Sequence, residues 1–210
     1  VDINPMSLEL AKIAIWIESV EPGRPLSFLD GHFLCGDSIL GITDIKQLRQ
    51  GIPSEAFTAL GGDDADFCKE LKKRNAGALK TYVKEASHKI IVKEGTQQYF
   101  AQPLFTSNDE GLMDRQREID AMPSDTIVQI ERKERAYTDF YAAGRKNHLA
   151  VAADIYVGTF LLPKDGLVAV PSSTDLDIVL NGDTATQASQ EAVDAARIVC
   201  RKAKVLHWPL

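Results

Sequence analysis

The stretch from Pro5 to Ile17 most limits what this chain can fold into. Leu10, Ile13, Ala14 and Ile17 recur at helical spacing, Leu8, Ala11 and Ile15 lie beside them, and only Glu9, Lys12 and Glu18 interrupt the apolar surface. A helix this apolar has to be covered on most of its sides. Asn4 suits the N-cap, and Pro5 the first helical position, where its missing N–H costs nothing. A second run, Leu149 to Leu162 with Ala152, Ile155, Tyr156 and Phe160, starts after Asn147, is ended by Pro163 and reads as a core helix. With 44% hydrophobic and 26% charged residues the chain falls outside the disordered, collagen-like and coiled-coil classes. Its formal net charge of −6 excludes coating of nucleic acid through bulk charge; a DNA role needs a local patch. Cys35, Cys68 and Cys200 are odd in number and widely spaced, which predicts reduced thiols and a cytoplasmic protein. No run of about eighteen apolar residues offers a membrane span.

The rest of the chain is mostly helical text. Thr43 or Asp44 can cap a short helix to Leu48, and Ser54 another to Leu60, stopped by Gly61-Gly62. Asp63-Asp64 open a long helix containing Phe67, Leu71, Leu79 and Tyr82, with Gly77 weakening its middle. Residues 84–102 are ambiguous, since Ile90-Ile-Val92 has strand propensity but no clear partner. Ser107 to Met122 predicts a helix, and Ser124-Asp125 begin another to Gly144. Ser172 to Leu180 is a short helix closed by Asn181-Gly182, and Ala185 to Ala203 is a last helix with a narrow alanine-rich stripe. One or two short strands are expected near the ends.

Asp2 stands where a buried strand gives way to a helix. A carboxylate there can accept both hydroxyls of a ribose, although spacing alone favours a plain polar strand end. Asp37, in Cys-Gly-Asp-Ser, can receive the exocyclic amine of an adenine, with Gly36 allowing close approach, or can simply cap the next turn of chain.

The string "VDINPMSLELAKIAIWIESVEPGRPLSFLDGHFLCGDSILGI" resembles a block of the large adenine-specific DNA methyltransferases found in single-chain (type IIG-like) restriction–modification and phage-defence enzymes. The "ADIYVGTFLLPK" and "AKVLHWPL" segments are similar to the same family, so the resemblance reaches both ends and thins between them. It implies that Asp2 binds the ribose of S-adenosylmethionine and Asp37 its adenine. It implies a mainly α fold: a helical bundle insertion with a small remnant of an α/β Rossmann-like methyltransferase domain at the N-terminus. The corresponding parts are residues 1–43 of the cofactor-binding core, 44–205 of the insertion, and 206–210 returning toward the catalytic motif. The implied partners are duplex DNA and the remainder of the methyltransferase domain, with self-association of exposed apolar surface. The family's glycine-rich loop precedes its "VDINP" strand, and its catalytic N-P-P-aromatic motif follows text like "HWPL". The only Asn-Pro here is Asn4-Pro5. An internal segment, inactive in methyl transfer by itself, is therefore expected, with no catalytic residue of its own. A structural helical spacer without a ligand is the alternative.

Other chemistry is thin. Glu70-Leu-Lys72 and Glu131-Arg-Lys133 lie in helical text, and His32 with Cys35 supplies two ligands, too few for a zinc site. His88, His148 and His207 are scattered. The basic clusters Lys69, Lys72, Lys73, Arg74; Arg132, Lys133, Arg135; Arg145-Lys146; and Arg201, Lys202, Lys204 are interleaved with acids. They read as solvated faces, with phosphate contact as the alternative. Tyr137, Phe140 and Tyr141 are expected in a core.

Overall fold

The computed structural model describes residues 1–20, 29–91, 107–144, 148–181 and 189–207. The chain divides into two compact units, each made of two segments: Val1–Ile39 with Phe105–Lys146, and Leu40–Leu104 with Asn147–Leu210. The mainly helical class holds. Among the described residues there are α-helices and short 3-10 turns, and the only β pairing within a unit is an isolated bridge.

In the first unit, helix α1 (Pro5–Glu18) starts as its sequence dictates: the Asn4 side chain accepts from the Met6 N–H at 3.0 Å and Pro5 takes the first position. Its expected covering is absent among the described residues. Only Leu8 and Lys12 are buried, whereas Met6, Leu10, Ile13 and Ile17 are 65%, 61%, 45% and 72% exposed, because no described segment lies on that face. Lys12 reaches Glu9 at 2.7 Å one turn back.

Two further helices, α2 (Ala65–Ile91) in the second unit and α3 (Ser107–Asp120) in the first, precede α4 (Ile127–Gly144), which returns along α3. The Thr126 hydroxyl accepts from the Gln129 N–H, and the Gln129 side chain accepts from the Asp125 and Thr126 N–H groups; this reciprocal arrangement satisfies the first donors of α4. Lys133 donates to the Asp120 and Met122 carbonyls and so fastens the end of α3. Ile119 is buried at 2% exposure, but Tyr137 and Phe140 are half-buried and Tyr141 is 36% exposed, so the aromatic residues of α4 do not form the expected core. Tyr137 instead packs on Tyr141, rings 5.1 Å apart, and its edge lies against Gly31. Leu8, Lys12 and Ile119 are the buried side chains of this unit among the described residues.

The second unit carries a continuous core. The expected short helices before Gly61 are 3-10 turns, Ile45–Gln50 and Ser54–Phe57, because Gly51 takes φ 73° and Thr58 returns to an extended backbone. Helix α2 absorbs Ile90 and Ile91, whereas Val92 lies outside the described residues. Asp64 accepts from the Asp66 and Phe67 N–H groups at its N-terminus. Around helix α5 (His148–Leu161) pack α6 (Ser173–Asn181), α7 (Gln190–Lys202) and the 3-10 turns, and α2 packs on α6 and on the Ser54–Phe57 turn, enclosing Ile42, Leu48, Ile52, Phe57, Leu71, Ile155, Leu176 and Val193. The apolar run Leu149–Leu162 is core, as its composition demands. The alanine stripe of α7 meets it closely: Ala192 and Ala196 are buried, and a Cβ on Gly158 would lie 2.7 Å from that of Ala196. Ala188 lies outside the described residues.

Buried polar groups are matched. Asn75 donates to the Ile52 carbonyl and accepts from the Ser173 N–H, while the Ser173 hydroxyl accepts from the Ile52 N–H. Lys164, 1% exposed, donates its ammonium to the Leu162 carbonyl at the end of α5. Asp63 accepts from the backbone N–H groups of Leu60 and Lys164, and these bonds hold its carboxyl below the usual carboxylate range.

Candidate functional site

Both cofactor candidates, Asp2 and Asp37, belong to the first unit. The chain around Asp2 is extended and pairs in parallel with Cys35: the Asp2 N–H donates to the Leu34 carbonyl at 3.2 Å, and the Gly36 N–H donates to the Asp2 carbonyl at 3.0 Å. Helix α1 lies on the connection between these segments. A parallel pair joined through a helix puts the residues that follow each extended piece at the same end of the pair. Asp37 follows the pairing by one residue, beyond a buried Gly36.

Neither carboxylate is idle. Asp2 Oδ1 accepts from the Asn4 N–H at 2.7 Å, and Asp37 Oδ1 from the Ile39 N–H at 2.8 Å. These are side-chain turns two residues long, which shape the corner into α1 and the chain after Gly36. Asp2 is exposed and Asp37 half-buried. The bridging Cys35 is exposed, its thiol 3.8 Å from the Ile3 carbonyl.

The two outer ends of the helical text meet within the second unit. The Leu206 N–H donates to the Leu40 carbonyl at 3.2 Å, and the Ile42 N–H to His207 Nδ1 at 3.4 Å. Gly41 sits between them with φ 134°, and a Cβ there would overlap the Leu206 carbonyl oxygen, so glycine is required on both counts. The other ring nitrogen of His207 lies 3.1 Å from Asp154 Oδ1, and the Cys200 thiol donates to the Asp154 carbonyl at 3.4 Å. Burial pushes the Cys200 thiol far up, keeping it protonated. Sequence reasoning left His207 among the scattered histidines. The available signal was Asp154, the one charge in the apolar run Leu149–Leu162.

The remaining candidates resolve into structure. Glu70 and Lys72 ride on α2, and Glu131 and Lys133 on α4. Lys69 pairs with Asp66, Arg115 with Glu118, Arg117 with Asp114 and Arg135 with Glu131, all on exposed helix surface. Arg145 and Lys146 lie outside the described residues. No group of three metal-ligating side chains occurs among the described residues. An open depression of about 500 Å³ in the second unit is bordered by Phe67, Arg74, Leu167, Asp175 and Ala192. Its polar groups serve the fold: Arg74 donates to the Val170 carbonyl, and Asp175 accepts from Ser172 and Ser189. No described helix is long and apolar enough to cross a membrane.

No family model, curated protein or solved structure matches the chain.

Proposed function

We propose that this chain is an internal segment of an S-adenosylmethionine-dependent, adenine-specific DNA methyltransferase. Asp2 takes the cofactor's ribose, Asp37 takes its adenine amine, and residues 44–205 are a helical insertion. The observation that carries the reading is the parallel pairing of Asp2 with Cys35 across a helical connection. In open α/β sheets, ligands bind beyond the carboxyl ends of such paired segments; Asp37 lies past this pairing, and Asp2 is one of its two paired residues. Two further observations support it. The segments that resemble the family on either side of the helical text, Leu40–Ile42 and Leu206–His207, are hydrogen-bonded neighbours, as the two ends of an insertion have to be. The first unit also buries few side chains and leaves the apolar face of α1 bare, which suits a remnant completed by the remainder of a methyltransferase domain.

In this reading the parent enzyme supplies the loop for the methionine moiety and the Asn-Pro-Pro-aromatic motif for a flipped adenine in duplex DNA. This chain supplies two carboxylates and no catalytic group. Adenosine, which has the ribose and adenine but no methionine, is therefore expected to bind the chain as weakly as S-adenosylmethionine. Binding in the millimolar range should perturb the backbone amides of residues 2–4 and 36–39 in a nuclear magnetic resonance titration. Asp2→Ala and Asp37→Ala should each abolish the perturbation. Absence of any perturbation at those amides removes the cofactor assignment, and micromolar affinity for S-adenosylmethionine removes the claim of an incomplete pocket.

A structural spacer is the second reading. Its support is the use of both carboxylates as turn acceptors for Asn4 and Ile39. It predicts that both alanine variants lose stability and that neither ligand shifts any amide.

A further inference from the structure

We propose that two copies of this chain pair through antiparallel α1 helices. Ile3, Met6, Leu10, Ile13, Ile17 and Val20 follow one another at steps of three and four residues in strict alternation, the a and d positions of a heptad. All six are apolar, and their exposures run from 45% to 72%. The four inner residues lie on α1, and Ile3 and Val20 continue the spacing just beyond its two ends. The side of α1 that its own unit buries carries Leu8 and Lys12, with Ala11 half-buried beside them. At 3.6 residues per turn these three point away from the a and d seam. The unit thus holds α1 by one side and presents the seam on the other.

The seam is its own complement. A two-fold axis between residues 11 and 12 sets Ile3 on Val20 of the second copy, Met6 on Ile17 and Leu10 on Ile13, so every a residue meets a d residue. None of the six positions carries a charge, and Ser7 and Ala14 on one flank are small enough for close approach. Glu9 on the other flank is tied to Lys12 at 2.7 Å. Charge selects the direction. The first turn of α1 has no acidic residue and its last turn no basic one. Antiparallel pairing sets Glu18 beside the first turn of the second copy and opposes the two macrodipoles. A parallel pair brings Asp2 to Asp2 and Glu18 to Glu18, with the macrodipoles aligned. Helix α1 has 14 residues, a length of about 21 Å. A stable interface takes about 800 Å² from each partner, more than one helix this short provides, so the dissociation constant is on the order of 100 μM.

The test uses the whole chain. Sedimentation equilibrium from about 10 μM to about 1 mM should show monomer passing to dimer and to nothing larger, because a two-fold pairing closes on itself. Leu10→Glu and Ile17→Glu change exposed positions, so helical circular dichroism should stay as in the parent while each weakens pairing about tenfold or more. For the direction, Ser7→Cys in a Cys35→Ser background is spin-labelled and mixed with isotope-labelled parent chain; Cys68 and Cys200 are buried and take no label. In the antiparallel register Ser7 lies opposite Trp16 of the second copy. Amides 15–18 of the unlabelled copy should therefore broaden more than amides 6–9, which lie roughly 13 Å further along the helix. A monomer at every concentration overturns the pairing and leaves the face to the remainder of the parent domain. Association that survives both glutamates overturns the seam, and stronger broadening at 6–9 overturns the direction. None of these outcomes touches the cofactor assignment, which the adenosine titration tests separately.

Discussion

Gly158→Ala places a methyl group where helix α7 already lies. The new Cβ would sit 2.7 Å from the Ala196 Cβ and 2.8 Å from its Cα. Non-bonded carbons settle at about 3.5–4.0 Å, so relief requires α5 and α7 to separate by roughly 1 Å. Ala192, Val193 and Cys200 are buried on the same side of α7 and would lose packing as the helices part. Two effects compete. Alanine is a better helix former than glycine by roughly 1 kcal/mol in a helix interior. Overpacking of a filled core costs about 1–3 kcal/mol, and the lost contacts along α7 add to that side, so the net expectation is destabilisation by about 1–2 kcal/mol. For a chain of 210 residues this is a fall in Tm of roughly 2–4 °C per kcal/mol. Urea unfolding followed by helical circular dichroism measures it directly. The double variant Gly158→Ala with Ala196→Gly removes the Cβ–Cβ contact but keeps the one with the Cα of residue 196, so it should recover only part of the loss, with a coupling of about 0.5–1 kcal/mol. If Gly158→Ala alone is as stable as the parent or more so, helix propensity has won and the close approach of α5 and α7 is refuted.

Asn75→Ala leaves the Ile52 carbonyl and the Ser173 N–H, both in the core, without their partner, and should cost about 2–4 kcal/mol in the same unfolding experiment. A loss below about 0.5 kcal/mol would show that the network is not buried. Asp63 has its carboxyl depressed by the Leu60 and Lys164 N–H groups. Its contribution is therefore present above its unfolded value of 3.8 and is lost as pH falls through the lower folded value. The urea midpoint of the parent should drop across this window more steeply than that of Asp63→Asn, and parallel curves would refute the assignment. Of the three cysteines, Cys35 is exposed whereas Cys68 and Cys200 are buried with thiols pushed up by desolvation, so a disulfide reagent should titrate one thiol fast and two only on unfolding. A second fast thiol in the folded protein would contradict the packing around α2 or α7.

What the sequence made legible follows physical rule. Local signals sufficed where one interaction decides the outcome: Asn4-Pro5 at the start of α1, the apolar run that became α5, and the alanine stripe of α7. They misled where covering depends on the rest of the structure. Periodicity shows that α1 has an apolar face but not what lies on it, and the aromatic residues of α4 followed a helical spacing that leads to partial exposure rather than a core. The 3-10 turns lost to helix in the reading because cap residues look alike in both, and only φ 73° at Gly51 and the extended Thr58 separate them. At the candidate site the residue types Asp2 and Asp37 were readable, and so was the turn role of Asp37. The pairing of Asp2 with Cys35 and the meeting of Ile42 with His207 were not, since each joins positions far apart in the chain and carries no local signature.

The chain passes from one unit to the other three times, at 39/40, 104/105 and 146/147. No single cut by a protease can therefore release either body as a continuous polypeptide. During synthesis the first 39 residues have to wait for residues 105–146 before their unit exists at all. The end of that delay does not cover the apolar ridge of α1, since Met6, Leu10 and Ile17 stay exposed once both segments are in place.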